Sequence, residues 1–326
     1  MKNWLRYKRL HRRARSLFPE TSLCDAGVAG ERFREALAVA REAYPGLQRN
    51  AGAIRDFVHP AWEDNIREVE RYFLTDFDMA FLSHPRINGT MVFTDRNAHA
   101  AEWPLVEAWR SPDILRKYVG NGLNAPFLEG KLTVANALNS LHHLYHLAHF
   151  ERFRGKPVEG IRTVVEFGGG YGNMARMFRN FGNLARYVII DLPLFCCIQY
   201  VFLSTTEPPG TVRLMGNPGV PIEEGKIHLL PITSLRDIQP EGELFLSTWA
   251  LSECPSAAYT YVREKEWFGA QELLVGFNDA WKPWDTEQLL ADLRDMFERV
   301  ALEPLPFLPG NVYLQAGNRI APAASR

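Results

Sequence analysis

What this sequence lacks narrows its reading first. It has no charge excess: 37 Lys and Arg stand against 38 Asp and Glu, a net charge of -1. No whole-molecule attraction to nucleic acid or to an anionic membrane follows from that balance. It has no long apolar run. The longest, around residues 192–203, contains Gln199 and is too short to span a bilayer. Cysteine is scarce: Cys24, Cys196, Cys197 and Cys254 form neither a CxxC pair nor a disulfide framework. With no apolar signal segment at the start, this reads as free thiols in a reducing compartment, a cytoplasmic one. Repeats and low-complexity tracts are missing too. A hydrophobic share of 46% over 326 residues excludes disorder and suits one large core or two ordinary ones.

What is there is unevenly placed. Residues 1–19 carry Lys2, Arg6, Lys8, Arg9, Arg12, Arg13 and Arg15 with no acid before Glu20. A solvated helix face, contact with an anionic surface or polyanion, and an organelle-targeting peptide all fit that run. Up to about residue 155 the chain is mainly helical in period, as at 31–43 and 61–74, with one strand-like run at 90–94. From 156 to 326 short β-rich runs alternate with helices, the pattern of a doubly wound α/β sheet. Strands are predicted at 163–167, 187–191, 226–230, 243–248 and 272–277. Helices are predicted at 173–180, after Pro193, after Pro255 and at 286–300. Runs at 301–305 and 311–315, joined through Pro309-Gly310, predict a hairpin whose last strand is antiparallel.

The run Val164-Val165-Glu166-Phe167-Gly168-Gly169-Gly170-Tyr171-Gly172-Asn173 ends a strand, turns on glycine and starts a helix. A dinucleotide fingerprint GxGxxG from Gly168 and Gly170 would need glycine at position 173, which is Asn. The run fits ExGxGxG instead. A carboxylate at Glu166 repels a pyrophosphate and suits the ammonium of a methionine moiety. Asp191, ending the second strand, is placed to accept both ribose hydroxyls of an adenosine. Together they point to S-adenosylmethionine, against a plain packing turn and a helix-capping aspartate. Tyr145, Asn173, Ser234 and Trp249 are further candidate cofactor contacts.

VVEFGGGYGNMAR, YVIIDLP and FLSTWALSECP resemble motifs of the bacterial sugar O-methyltransferases, over roughly residues 130–280. The resemblance implies a seven-stranded Rossmann-like class I methyltransferase sheet. It also implies S-adenosylmethionine as cofactor and a sugar-like acceptor. Residues 1–155 would then be a mainly helical lid and substrate region, and 156–326 the catalytic domain.

Two places offer a general base. Four of the nine histidines fall at 142, 143, 146 and 149. At helical spacing Asn139, His142, Tyr145, His146 and His149 share one face, so His142 or His146 is a candidate base and His149 a substrate contact. His142 and His146 also stand at metal-ligand spacing, but no nearby carboxylate completes a site, and no metal is expected. A structural polar stripe is the competing reading. The second place is Ser252 and Glu253 after the fourth strand, with Glu253 as the working carboxylate or a helix cap and Ser252 as a substrate contact. Asn278 and Asp279, ending the fifth strand, either hold acceptor hydroxyls or cap a loop. The expected activity is methyl transfer to a hydroxyl of a sugar-like small molecule, with no nucleic-acid partner and a homo-oligomer left open. N-methylation of an amine or guanidine, with Glu253 orienting the cation, is the alternative. An inactive cofactor-binding regulatory subunit is the reading from another class.

Overall fold

The computed structural model describes residues 26–49, 56–93, 95–119, 134–216, 221–235 and 237–320. The basic run at 1–19 and Cys24 lie outside the described residues. Among the described residues six α-helices precede the sheet: α1 (Ala26–Gln48), α2 (Glu63–Thr75), α3 (Pro85–Met91), α4 (Arg96–Trp109), α5 (Pro112–Val119) and α6 (Val134–Arg154). Then β1 (Thr163–Phe167), α7 (Asn173–Phe181), β2 (Arg186–Asp191), α8 (Pro193–Thr206), β3 (Val212–Leu214) and β4 (Lys226–Pro231) follow. The chain continues with β5 (Leu244–Thr248), α9 (Ser256–Glu264), β6 (Glu272–Asn278), α10 (Thr286–Met296), β7 (Phe297–Pro304) and β8 (Asn311–Arg319). None of the described helices is long and apolar enough to cross a membrane.

The strand order is β3-β4-β2-β1-β5-β6-β8-β7. Every pairing is parallel until β8, which runs antiparallel to both β6 and β7. Removing the three-residue edge strand β3, which the sequence reading missed, leaves the expected seven. The order reverses between β1 and β5, and the loops leaving their carboxyl ends diverge there to open a ligand crevice.

Alternation along β1 explains how the sheet is buried on both faces. Val164 joins a cluster built with α7, α8 and the early helices. Val165 and Phe167 join the opposite cluster, with α9 and α10. The first cluster runs without a break from Phe33, Phe73 and Phe81 to Phe202 and Ile189. The N-terminal helices therefore share one core with the sheet. Backbone anchors reinforce the contact, such as Arg32 Nη2 donating to the Ser204 carbonyl at 2.6 Å.

Two local expectations are corrected. Over its described residues, 90–93, the strand-like run is not a strand: Pro85 sits in the first turn of α3, which continues to Met91 before Val92 turns extended. The helix expected at 286–300 stops at Met296, because Phe297 begins β7 and pairs with Arg319. Asp95 starts α4 by accepting from the Asn97 and Ala98 amides at 2.8 Å each, a cap whose loss costs ~1 kcal/mol. That helix carries two residues of the site.

Candidate active site

A cleft of about 450 Å³ opens at the carboxyl ends of β1, β2 and β5 and is walled opposite by α6 and the segment after α3. Its sheet wall is made of strand ends and backbone. Gly168 has φ +77, and a Cβ there would lie 2.0 Å from the Ala250 Cβ, so the loop after β5 can close on this turn only over glycine. Gly170, at φ +55, lines the cleft, and a Cβ there would meet nothing nearer than 3.9 Å. Backbone is thus bared where a ligand can approach.

Asp191 is the hinge of this wall. Its Oδ2 accepts from the Gly169 amide at 3.0 Å and from Gln199 Nε2 at 2.7 Å, while Oδ1 accepts from the Leu192 amide at 2.8 Å. Gln199 Nε2 also donates to the Gly170 carbonyl at 3.0 Å, tying the turn to α8. Burial pushes the Asp191 carboxyl up to about 7 against the pull of those donors. Glu166 is 2% exposed and lines the same cleft. Burial and then the neighbouring Asp191 raise it to about 8, although Tyr187 Oη donates to it at 2.9 Å. A carboxylate has about four acceptor sites, and this single donor leaves room for an ammonium. The bared glycine backbone and the under-donated carboxyl fit S-adenosylmethionine; a phosphate would be repelled.

The facing wall carries the histidines. Asn139, His142, His143 and His146 line the cleft, at steps of three and four residues along α6. The stripe is rotated from the expected one. Tyr145 and His149 lie off the cleft, Tyr145 against Phe307 at 5.3 Å and His149 Nε2 on Glu303 Oε2 at 3.0 Å. His143, left out of the expected face, belongs to it. Its Nδ1 faces Asn173 Nδ2 at 2.9 Å, and burial first, then His142, lowers it to about 3. His146 bonds through Nδ1 to the Tyr313 hydroxyl, and burial lowers it well below the usual histidine value. His142 stacks on Phe93 at 4.0 Å and bonds through Nδ1 to Glu102 Oε1.

Trp249 closes the end of the cleft in a conformation that side chains rarely adopt, φ +67. It is held from several sides. Its amide donates to the Gly276 carbonyl at 2.7 Å and its Nε1 to Asn311 Oδ1 at 2.6 Å. The indole lies 5.6 Å from His142 and 5.5 Å from His146, centroid to centroid. Backbone strain of this kind persists where the surroundings over-determine it, most often at functional sites. Glu253 lines the mouth of the cleft and is solvent-exposed. Surrounding protein mass pushes its carboxyl upward.

Other candidates lie elsewhere. Ser252 is buried behind the cleft, its hydroxyl donating to the Trp249 carbonyl at 2.7 Å. Asn278 accepts from the Ala280 amide at 3.0 Å and Asp279 pairs with Lys282 at 2.6 Å, both as loop caps. Ser234 ends a short turn in which Ile232, not the serine, reaches the cleft. Gly172 and Asn173 begin α7 beneath the turn, with Asn173 Oδ1 accepting from Arg176. Among the described residues no three His, Cys, Asp or Glu groups converge as metal ligands. The sequence reading missed Glu102, His99, Gln199 and Asn311. Only His99 and Glu102 carried a sequence signal, an i,i+3 pair on one helix face.

No family model and no curated protein matches this chain. Solved structures do. Mitomycin 7-O-methyltransferase is similar over 80% of this chain and 69% of its own, at 14% identity and a TM-score of 0.38. An O-methyltransferase family protein from Burkholderia thailandensis covers 80% and 70%, at 13% identity and 0.37. A Podospora anserina methyltransferase with bound S-adenosylhomocysteine covers 80% and 99%, at 11% identity and 0.34. Independently of these likenesses, the strand order, the single antiparallel strand and the glycine turn define the class I methyltransferase fold.

Proposed function

We propose that this chain transfers the methyl group of S-adenosylmethionine to a hydroxyl of a sugar-like small molecule. The observation that carries this reading is one cleft with Glu166, Asp191 and bare glycine backbone on one wall and His142 on the other. Residues 156–326 are the cofactor-binding part, and residues 1–155 supply the facing wall of the acceptor pocket and, in His142, the base.

When bound, the cofactor supplies an electrophilic methyl on a sulfonium, so the chain has only to bind, align and remove a proton. Glu166 accepts from the methionyl ammonium, and Asp191, with about one acceptor site left by its three internal donors, accepts from one ribose hydroxyl and not from both. His142, whose Nδ1 is taken by Glu102, has Nε2 left for the acceptor's hydroxyl proton. His146 and Trp249 pack beside that imidazole and fix its plane.

Among the described residues no Lys or Arg lines the cleft, while Trp62, Phe93, Phe195 and Trp249 do. That composition favours an acceptor without phosphate or carboxylate, one that stacks a ring face on an aromatic. One observation favours N-methylation as a second reading. Glu253 stands at the mouth with no side-chain partner among the described residues, ready to pair with a cationic acceptor. Calorimetry with S-adenosylmethionine, S-adenosylhomocysteine and NAD tests the cofactor. The first two should bind in the micromolar range, and NAD should not bind. A turnover panel of free sugars, nucleotide sugars and amino acids then tests the acceptor; turnover confined to amino acids would replace the hydroxyl reading.

A further inference from the structure

We infer that Glu102, backed by His99, is the positioning residue that holds His142 in the tautomer able to act as a base. This rests on the reading of His142 as the group that takes the acceptor's proton.

The three residues form a closed chain inside the protein. Glu102 is 0% exposed, as is His99, and His142 is 5% exposed. Glu102 Oε1 bonds His142 Nδ1, and Glu102 Oε2 bonds His99 Nδ1 at 2.9 Å. His99 Nε2 reaches the Phe93 carbonyl at 3.2 Å. Donor and acceptor roles follow from that end. A carbonyl only accepts, so His99 Nε2 carries a proton. Glu102 has these two imidazoles as partners, one on each oxygen. With its Nε2 protonated, His99 shares one further proton with Glu102, between Nδ1 and Oε2, in a layer closed to water. Whichever of the two holds that proton, Glu102 Oε1 is left to accept from His142 Nδ1. His142 keeps its proton on Nδ1, and its Nε2 is left bare.

The rest of the surroundings match. His143 and His146, on the same helix, are kept neutral by burial. Phe93 and Trp249 pack on the His142 ring without charge. The other titratable groups lining the cleft are Glu166, Asp191, Glu253, His59, Tyr171 and Cys254. Of all these, only Glu102 bonds the His142 ring. When the imidazole takes the acceptor's proton it becomes a cation directly against that carboxylate, which stabilises the developing charge.

Nitrogen-detected NMR of the histidine rings tests the tautomer without any turnover. His142 should show a protonated Nδ1 and a bare Nε2; a His142 ring protonated on Nε2 overturns the inference. Kinetics test the consequence. Glu102→Gln preserves both bonds, since the amide oxygen accepts from His142 and the amide nitrogen donates to a neutral His99. It should fold and bind cofactor normally, yet lose ~10²-fold in kcat, a typical share for general-base catalysis, with KM unchanged. The acid limb of its pH–rate profile should move to lower pH. Glu102→Asp, which keeps the charge, should restore the acid limb and part of the rate. Wild-type kcat and an unmoved acid limb in Glu102→Gln would overturn the assignment. So would a loss of melting temperature and cofactor affinity, unrescued by Asp, that accounts for the whole rate effect. If His142→Ala keeps full activity, the parent reading fails instead, and the NMR result tells the two failures apart.

Discussion

The two walls of the cleft are built by different means. The sheet wall uses backbone and strand ends from one stretch, β1 through α8: three consecutive glycines, one carboxyl per strand end, and Gln199 bracing them. The helix wall uses side chains drawn from α4, α6, β8 and the turn after β5, each held by a partner far along the chain. Glu102 and His142 are 40 residues apart, Trp249 and Asn311 62, His146 and Tyr313 167. A wall of strand ends suits a ligand common to many enzymes, because backbone geometry tolerates changes of side chain. A wall of interlocked side chains suits chemistry peculiar to one acceptor, because every contact in it can be altered by one substitution.

That contrast predicts where substitutions act. The largest effect should come from the helix wall: His142→Ala should lower kcat by ~10²–10⁴ while the S-adenosylmethionine dissociation constant stays within about twofold, measured by steady-state kinetics beside calorimetry. A parallel loss of cofactor affinity would mean the walls are not separable. Next, Asp191→Ala should weaken S-adenosylmethionine binding ~10-fold or more, since a hydrogen bond to a charged group is worth ~1.5–3 kcal/mol. Binding indifferent to Asp191 would remove the ribose role.

Glu253→Gln sharpens the choice of acceptor. With a hydroxyl acceptor and His142 as base it should cost less than about tenfold in kcat, for a group outside the proton transfer. With a cationic acceptor it should raise KM steeply, as a charge-assisted pair is about twice as strong as a neutral one. A ~10²-fold fall in kcat alone would transfer the base role to Glu253. His146→Ala should lower turnover more than melting temperature, and EDTA should leave activity unchanged; loss with EDTA and rescue by a divalent ion would make the stripe a ligand set.

The smallest effect is a pH dependence on the sheet wall. Glu166 is raised from its ordinary 4.5 to about 8, chiefly by burial. The folded chain therefore holds this proton where the unfolded chain has lost it, and ligand-free stability from this group falls as pH rises between those values. An ammonium binds the ionised form, so cofactor binding below pH 8 expels the proton and weakens as pH falls. Melting temperatures across that window should drop with rising pH in the free protein and drop less with S-adenosylhomocysteine present. Parallel curves would sever Glu166 from the ammonium.

By itself the sequence determined what depends on short spacing. Period-two and period-3.6 patterns gave every strand but β3, most of the helices and the antiparallel hairpin. The spacing Glu166–Gly168–Gly170 with Asp191 at the next strand end placed these residues together on the sheet wall of the cleft, because residues at the end of adjacent parallel strands are neighbours whatever surrounds them. The tertiary structure alone decided the rest. Helical period placed five polar residues of α6 on a face, but not which side of that face meets the cleft; packing against β7 and β8 turned Tyr145 and His149 away and His143 in. Ser252, Asn278 and Asp279 looked available by type, yet each finds a nearer partner that satisfies it. Glu102 is an ordinary acid on a helix until α4 packs on α6 and sets one imidazole against each of its oxygens. Spacing along a chain records neighbours on one element, whereas desolvation and the identity of a distant partner arise only when elements meet.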